Sequence, residues 1–386
     1  MTNYSELANG GITLIKPYQA GKPIEEVQRQ LGLENVIKLA SNENPFGMGP
    51  KAKEAALKCV EQGNIYPDSN GYYLKHKLHD KFGYDPEKLT LGAGSNELIN
   101  LLFAAFVNDK VNVVFPEYSF VVYPMETTVN GAKAKVIPLK NYNADLDAIA
   151  QAIDKDTRIV AFANPSNPIG TAISSKSMKE FIKKVPKTTL VVIDEAYNEF
   201  NSGDDTFEDT ALWTEEFENL VVSRTFSKAY GLAGLRVGYM VANKEITSLL
   251  NRLRAPFNVN IVALAAAVAA LDDTEFLKKT VENNSKERER YAAFCCRLPL
   301  LLHTSLPILF SSSSFFPPKI RFLFSSVMDC CEINLSFFLE NGDFWHKSAV
   351  WWHKLQLQQC MPFLAHFFRL IQLCLNDRLH FLRSPL

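Results

Sequence analysis

Between residues 88 and 242, short runs of aliphatic and β-branched residues alternate with segments of helical period. This alternation is typical of a parallel sheet whose crossover helices cover both of its faces. One run, residues 190–193, is apolar at every position, as is expected of a strand buried on both sides. The chain is therefore predicted to have an α/β fold, with a mainly parallel sheet flanked by helices. The predicted strands are residues 89–91, 111–115, 134–139, 158–163, 190–194, 220–223 and 237–241.

The pattern divides the 386 residues into four predicted segments. Residues 1–45 form an amino-terminal arm, residues 46–272 a large domain, and residues 273–294 a helix that leads towards a small carboxy-terminal domain. Residues 295–386 lack the pattern of a folded domain, because they contain only 13 charged residues, against 70 before them, and one of the 18 glycines. We expect an aberrant tail in place of the small domain.

The charge and the cysteines exclude several classes of partner. A formal net charge of -1 predicts no nucleic-acid partner and no anionic membrane surface, which leaves a small molecule as the expected ligand. The seven cysteines lack the spacing of a zinc site, so neither a metal nor a disulfide framework is expected. The first residues contain no signal peptide, and no apolar run approaches the ~20 residues that span a bilayer, so we predict a cytoplasmic protein.

The longest chemical motif is the string SRTFSKAYGLAGLRVG at residues 223–238. Lys228 lies just past a predicted buried strand, where its amine can form an imine with an aldehyde cofactor and then carry a proton. Arg236, together with Thr225 and Ser227, can hold a cofactor phosphate, because the guanidinium fork matches phosphate oxygens. The alternative is a solvated lysine and a surface ion pair, which the whole string disfavours.

An aspartate ends the apolar run in the string VVIDEAY. At the carboxyl end of a buried strand, the carboxylate of Asp194 can pair with a protonated pyridine nitrogen, and Tyr197 can reach a phenolic oxygen on the same ring. A carboxylate that only caps the next helix is the alternative. With Lys228 34 residues further on, we predict the cofactor pyridoxal 5′-phosphate, with Lys228, Asp194 and Tyr197 as catalytic residues.

Two turns and one tyrosine complete the predicted cofactor site. Asn167, in the string NPSNPIG, can donate its amide to the phenolic oxygen, although an ordinary Asn-Pro turn is an alternative. The string LGAGSNEL opens a predicted helix, whose free N–H groups at Gly94, Ser95 and Asn96 can bind the phosphate. Tyr118, after another strand, can stack on the pyridine ring or can belong to the core.

Together these strings resemble the fold-type I aminotransferases and, within them, the histidinol-phosphate aminotransferases, from about residue 11 to residue 294. The resemblance implies amino transfer between histidinol phosphate and glutamate, through imidazole-acetol phosphate and 2-oxoglutarate, in histidine biosynthesis. It also implies a homodimer in which Tyr66 reaches the cofactor phosphate of the neighbouring subunit, with Tyr18 near the substrate. The strings that narrow the resemblance from fold type I to the histidinol-phosphate aminotransferases are IKPY at 15–18, LASNENPFG at 39–47, YPD at 66–68 and residues 223–238.

The sequence departs from this family in two places. Ile169 replaces a threonine in the turn that contains Asn167. After Phe294 neither the small domain nor the arginines that grip the substrate phosphate can be recognised. One choice of codons for residues 305–310, read in a shifted frame, encodes the family-like string LTNFI, so we hypothesise that the tail is translated out of frame.

Two other functions stay open at this point. Another fold-type I enzyme, such as an aromatic aminotransferase or a phosphothreonine decarboxylase, is possible, because substrate choice depends partly on the small domain. The second alternative is a non-catalytic remnant. Without the small domain, its docking surface on the large domain is exposed, and an apolar tail of this composition favours aggregation. We expect this chain to bind pyridoxal phosphate but to turn over histidinol phosphate poorly.

Overall fold

A computed structural model of the chain describes residues 2, 4–8, 11–17, 21, 23–201 and 206–297, with side chains up to residue 293. Tyr18 and the predicted tail from residue 298 onwards lie outside the described residues. Among the described residues, no helix is both long and apolar enough to cross a membrane. The same residues contain no group of His, Cys, Asp and Glu that could hold a metal ion.

The central element is a seven-stranded mixed sheet, and it confirms the predicted α/β fold. The strands are β1 (Leu89–Gly92), β2 (Asn112–Pro116), β3 (Lys133–Ile137), β4 (Leu139–Lys140), β5 (Asn143–Ala144), β6 (Thr157–Ala163), β7 (Leu190–Asp194), β8 (Leu220–Thr225) and β9 (Gly238–Ala242). Their order in the sheet is β1-β9-β8-β7-β6-β2-β3, and β4 and β5 form a separate hairpin. Strand β9 is antiparallel to both of its neighbours, while the other pairs of the seven-stranded sheet are parallel.

One predicted strand is divided in the structure. Residues 134–139 are predicted as a single strand, but β3 ends at Ile137 and β4 begins at Leu139. Pro138 lies between them, and a proline has no N–H with which to continue a ladder of hydrogen bonds. The proline therefore separates the main sheet from the small hairpin.

Helices cover the sheet and follow the predicted alternation. Several begin with side-chain caps, such as Asp145, Ser174 and Asn243, which accept hydrogen bonds from free N–H groups of the first turn. The helices are α1 (Ile24–Leu31), α2 (Pro50–Val60), α3 (Tyr72–Phe82), α4 (Ser95–Phe106), α5 (Val122–Val129), α6 (Leu146–Ala152), α7 (Ser175–Ile182), α8 (Lys244–Leu253), α9 (Ile261–Leu271) and α10 (Thr274–Arg297). Short 3-10 turns lie at Tyr4–Glu6, Ile12–Leu14, Pro86–Lys88, Asn198–Asn201, Thr210–Glu215 and Ala233–Leu235.

The sheet separates two hydrophobic clusters. Successive side chains of a strand point to opposite faces, so Val191 and Ile193 of β7 belong to one cluster and Val192 to the other. The first cluster includes alanines of α9, which packs against α2 and α3. Because both faces are covered, polar groups can gather only at the ends of the strands. The parallel strands β2, β6, β7 and β8 are neighbours, so their carboxyl ends lie together along one edge of the sheet.

Candidate active site

The predicted catalytic residues lie at this edge of the sheet. Asp194 is the last residue of β7, and Lys228 follows the end of β8. The Lys228 amine lies 5.6 Å from the centre of the Tyr197 ring. Asn167, which follows β6, donates from Nδ2 to the hydroxyl of Tyr197 over 3.2 Å. The structure thus brings together four residues that the sequence assigned to one site.

Lys228 is held by the amino-terminal part of the chain. Its Nζ donates to the carbonyl oxygen of Ser41 over 2.9 Å. Burial lowers the pKa of Lys228 to about 8, while the carboxylates of Glu43 and Asp194 act in the opposite direction and Arg236 lowers it further. A lysine with this pKa is partly neutral near physiological pH, and the neutral amine is the form that attacks a carbonyl group.

The Tyr197 hydroxyl has two amide donors, and the sequence predicted only one of them. Besides Asn167, Asn42 donates from Nδ2 to this hydroxyl over 2.9 Å. Ser41 and Asn42 both have positive φ angles, 72° and 51°, which are uncommon for residues other than glycine. Asn42 belongs to the string LASNENPFG, which carries part of the family resemblance. Nothing in that string indicates which of its side chains contacts Tyr197.

Asp194 has a buried neighbour that the sequence analysis missed. The hydroxyl of Tyr123, in α5, donates to Oδ2 of Asp194 over 3.2 Å, and the N–H of Ala196 donates to Oδ1 over 3.3 Å. Burial raises the pKa of Asp194 to about 6, and the hydrogen bond from Tyr123 counteracts this rise. Tyr123 is fully buried in a helix of ordinary apolar pattern, so only the packing reveals its contact.

Three polar side chains converge beyond Lys228. The hydroxyl of Thr225 donates to the hydroxyl oxygen of Ser227 over 2.9 Å, and the N–H of Ser227 donates to Thr225 over 3.1 Å. Arg236 directs Nη1 at Ser227 over 3.5 Å and Nη2 at the carbonyl oxygen of Ala93 over 3.2 Å. A guanidinium and two hydroxyl groups in this arrangement can bind the oxygens of a phosphate.

The beginning of α4 lies beside these side chains. Gly94 has a φ of 86°, and a Cβ built on it would collide with the guanidinium of Arg236. On the other side, a Cβ on Gly238 would lie 2.9 Å from the backbone nitrogen of Ser95, closer than real contacts allow. Both glycines let the helix approach, and the first turn of α4 includes Ser95 and Asn96. The predicted phosphate contacts are therefore assembled around one helix amino terminus.

The remaining predicted aromatic residues have different positions. Tyr118 has a φ of 53° and lines a small pocket together with Asn167. Tyr66 is 78% exposed and stacks on Phe257, and it makes none of the contacts described above. Tyr18 lies outside the described residues.

The arrangement fits a flat aromatic cofactor that carries a phosphate. A seat for an anion lies at the amino terminus of α4, an amine of lowered pKa lies at Lys228, and the carboxylate of Asp194 is buried where it can face a ring nitrogen. Two amides and the Tyr197 hydroxyl supply hydrogen-bonding groups for a further ring oxygen. A fold and site of this kind suit an enzyme whose lysine amine forms an imine with a carbonyl group.

Comparison with known proteins gives the class to which this fold and site belong. Residues 34–317 match the family model for class I and II aminotransferases. This match covers most of the chain, and the chain belongs to that family. The match extends beyond residue 294, where the resemblance quoted above ends.

Individual relatives narrow the comparison. Histidinol-phosphate aminotransferase 2 of Haemophilus influenzae is 46% identical over 292 residues, which are 76% of this chain and 80% of that protein. Histidinol-phosphate aminotransferase 1 of Cupriavidus pinatubonensis is 50% identical over 75% of this chain and 77% of that protein. The structure of histidinol-phosphate aminotransferase from Sinorhizobium meliloti, in complex with pyridoxal-5'-phosphate, is similar with a TM-score of 0.70 and 26% identity, over 77% of this chain and 79% of that chain. The resemblance predicted from the sequence is confirmed.

Proposed function

We propose that this chain transfers an amino group between histidinol phosphate and 2-oxoglutarate in histidine biosynthesis, using pyridoxal 5′-phosphate. The observation that carries the proposal is the position of the Lys228 amine, which has a lowered pKa and lies beside Tyr197 and the buried carboxylate of Asp194. The similarity to histidinol-phosphate aminotransferases over about three quarters of the chain supports the choice of substrate.

The catalytic residues have distinct roles in this proposal. When bound, pyridoxal phosphate supplies an aldehyde that condenses with amines and a ring that accepts electrons. Lys228 would hold the cofactor through its amine and would carry a proton to and from the substrate Cα. Asp194 would pair with the ring nitrogen and keep it protonated. Tyr197 and Asn167 would bind the phenolic oxygen, and Asn42 orients the Tyr197 hydroxyl.

Other residues hold the cofactor in place. Backbone N–H groups and side chains around the beginning of α4 would bind the phosphate, and Tyr118 would stack on the ring. Because the phosphate would carry nearly two negative charges, the positive end of the helix and the guanidinium attract it. The proposed phosphate contacts are Gly94, Ser95, Asn96, Thr225, Ser227 and Arg236.

A homodimer is part of the proposal. Tyr66 would reach the cofactor phosphate of the neighbouring subunit, and Tyr18 would lie near the substrate. Support comes from a group of exposed apolar residues, because large exposed apolar surfaces mark interaction sites. Tyr66, Tyr72 and Tyr73 are each more than half exposed, and Ile65 and Phe257 are exposed beside Tyr66. The cytoplasmic location stays a prediction.

We also propose that the small domain of the family is absent from this chain because its tail is read out of frame. Residues after 317 lie outside the family match. The nucleotide sequence around codon 295 tests the proposal. A shifted frame that encodes a family-like small domain is expected, and failure to find one in either alternative frame would overturn the hypothesis. Loss of a charged clamp on the substrate phosphate predicts turnover roughly two orders of magnitude below that of an intact relative.

The covalent role of Lys228 can be tested directly. We expect borohydride treatment of the purified chain with pyridoxal phosphate to fix the cofactor on Lys228, as peptide mass spectrometry would show. Lys228→Ala should lose both this adduct and transamination, whereas Lys244→Ala, which changes a surface lysine, should lose neither. Assays with histidinol phosphate and with phenylalanine, each with 2-oxoglutarate, compare the two substrates. Fixation on another residue, or faster turnover of phenylalanine, would contradict the proposal.

A further inference from the structure

Phe257 has a backbone conformation that bulky residues rarely adopt. Its φ is 58°, in the left-handed region, where the Cβ is crowded by the neighbouring carbonyl group. Such conformations persist only where the surrounding structure holds them, and they concentrate at functional sites. Phe257 lies between α8 and α9, in a loop that the proposed mechanism does not use.

Hydrogen bonds fix the loop on one side to the beginning of α4. Asn258 donates from Nδ2 to the carbonyl oxygen of Leu91 over 3.1 Å and to Oε2 of Glu97 over 2.7 Å. Arg254 donates from Nη1 to Oδ1 of Asn258 over 2.8 Å. The residue that follows Phe257 is therefore bound to the element that forms the proposed phosphate seat.

The other end of the loop is fixed as well. Asn260 donates from Nδ2 to the carbonyl oxygen of Leu235 over 3.0 Å, next to Arg236. Its Oδ1 accepts from the N–H of Ala263 over 2.8 Å and caps α9. The chain that follows Phe257 is therefore held at two points, by Asn258 and by Asn260.

What Phe257 presents is a platform for Tyr66. The two rings stack with their centres 4.7 Å apart and their planes 23° from parallel. Within the described part of the chain, Phe257 is the only ring that stacks on Tyr66, and the Tyr66 side chain forms no hydrogen bond there. Tyr66 is 78% exposed and Phe257 42% exposed, so the pair projects outwards from its own subunit.

We propose that Phe257 is a positioning residue for Tyr66, and that it holds the phenol in the orientation in which a second copy of this chain receives it at its cofactor phosphate. This inference rests on the homodimer of the proposed function. An exposed tyrosine side chain samples several rotamers, and ordering it on binding costs entropy. A fixed aromatic platform removes part of that cost before the subunits meet.

The first test measures the affinity for pyridoxal phosphate by absorbance titration of the dimer. Phe257→Gly removes the ring and suits the positive φ, so the loop is expected to fold. It should weaken cofactor binding roughly threefold to tenfold, the range expected from loss of an aromatic pair. Phe257→Tyr keeps the ring and should bind as the parent chain does. Val136→Ala, which shortens an exposed side chain outside the group of exposed residues around Tyr66, is the control and should have no effect.

A double-mutant cycle separates positioning from a general effect on the fold. Tyr66→Phe keeps the stacked ring but removes the hydroxyl. If Phe257 acts through that hydroxyl, Phe257→Gly should cause no further loss of affinity in the Tyr66→Phe background. Additive losses, or equal affinities of the parent chain and Phe257→Gly, would overturn the inference.

Hybrid dimers test the direction of the effect. Parent and Phe257→Gly chains carrying different mass tags are co-expressed, purified as hybrids and treated with borohydride at subsaturating pyridoxal phosphate. Intact mass then shows how much cofactor each chain has fixed. We expect less on the parent chain, since its partner supplies the unsupported Tyr66. Less on the Phe257→Gly chain, or equal amounts, would overturn the inference.

These measurements also distinguish the inference from the function on which it rests. If the parent chain fixes no cofactor on Lys228, the proposed function fails and the inference fails with it. If Lys228 is labelled but Tyr66→Phe binds the cofactor as tightly as the parent, only the contact between subunits and the role of Phe257 are refuted.

Discussion

Two groups of charged residues lie side by side at the ends of β7 and β8, and they are built in opposite ways. Asp194 and Lys228 belong to the candidate active site, whereas the adjacent Glu195 and the nearby Arg224 belong to a group that we call the interior ion cluster. Arg224 donates to Oε2 of Glu195 from Nε over 2.9 Å and from Nη2 over 2.6 Å. The cluster also includes Asp209, Tyr84 and Thr210.

In the interior ion cluster Arg224 contacts oppositely charged groups, whereas the hydrogen-bond partners of Lys228 and Asp194 in the active site are neutral. Arg224 is bonded to two carboxylates and to a phenol, so its guanidinium is fully occupied in the interior. Lys228 and Asp194 have weaker partners, and burial shifts the pKa of each towards its neutral form, to about 8 and about 6. The interior ion cluster joins the ends of β7 and β8. The active-site pair, Asp194 and Lys228, is less stable but more reactive.

The largest expected effect comes from breaking the interior ion cluster with Arg224→Met. Glu195 would then be buried without its counter-charge, and we expect the free energy of unfolding to fall by about 3–5 kcal/mol. Urea denaturation at pH 7 measures the change. Lys244→Met removes two surface ion pairs, with Asp85 and Glu87, and should alter stability little. If both variants lost the same stability, the distinction between the two regions would disappear.

In contrast, Lys228→Met is expected to raise the free energy of unfolding of the chain without cofactor. The folded-state pKa of Lys228 is lowered to about 8 by burial, so the unfolded chain binds its proton more tightly and the lysine costs stability below pH 8. We expect the variant to be more stable by roughly 1–2 kcal/mol at pH 7. The difference should shrink as pH rises from about 8 towards the ordinary lysine pKa of 10.5. A variant less stable than the parent at pH 7 would show that Lys228 stabilises the fold.

The smallest effect concerns Tyr123→Phe, which changes one hydrogen bond in the active site. Burial raises the pKa of Asp194 and the Tyr123 hydroxyl counteracts the rise, so the variant should have an Asp194 pKa above about 6. We expect the free energy of unfolding to fall by about 1 kcal/mol. The fall should be larger at pH 8, where Asp194 is ionised, than at pH 5. Carbon NMR of the labelled carboxyl group measures the pKa. Tyr73→Phe, at an exposed position, is the control, and an unchanged Asp194 pKa would refute the coupling.

Much of the site follows from local rules. Strands that are apolar at every position predict a parallel sheet, and polar residues just after such strands predict where Asp194, Asn167 and Lys228 meet. Asn42 and Tyr123 could not be found in this way. Asn42 lies 155 residues from Tyr197 in the chain, and Tyr123 meets Asp194 only through the packing of α5. Contacts of this kind depend on the tertiary fold and leave no periodic pattern.

The same limit applies to strand direction and to Phe257. The run at residues 237–241 predicts a strand, but its pattern does not reveal that β9 runs antiparallel to its neighbours. Likewise, no motif at Phe257 signals a positive φ, because glycine and asparagine are the residues that usually mark one. The long-range hydrogen bonds that hold this loop are made by Asn258 and Asn260, and they depend on the tertiary fold.

The pairing of β8 with β9 has a consequence for how the site can change in evolution. Thr225 lies opposite Gly238, so residues 226–237 form one closed loop that carries both Lys228 and Arg236. The number of residues in this loop sets the spacing between the amine of Lys228 and the guanidinium of Arg236. Inserting or deleting one residue would alter that spacing even if every strand kept its register. We therefore expect a change in the length of this loop to disturb the site more than a single substitution of a loop residue outside the site.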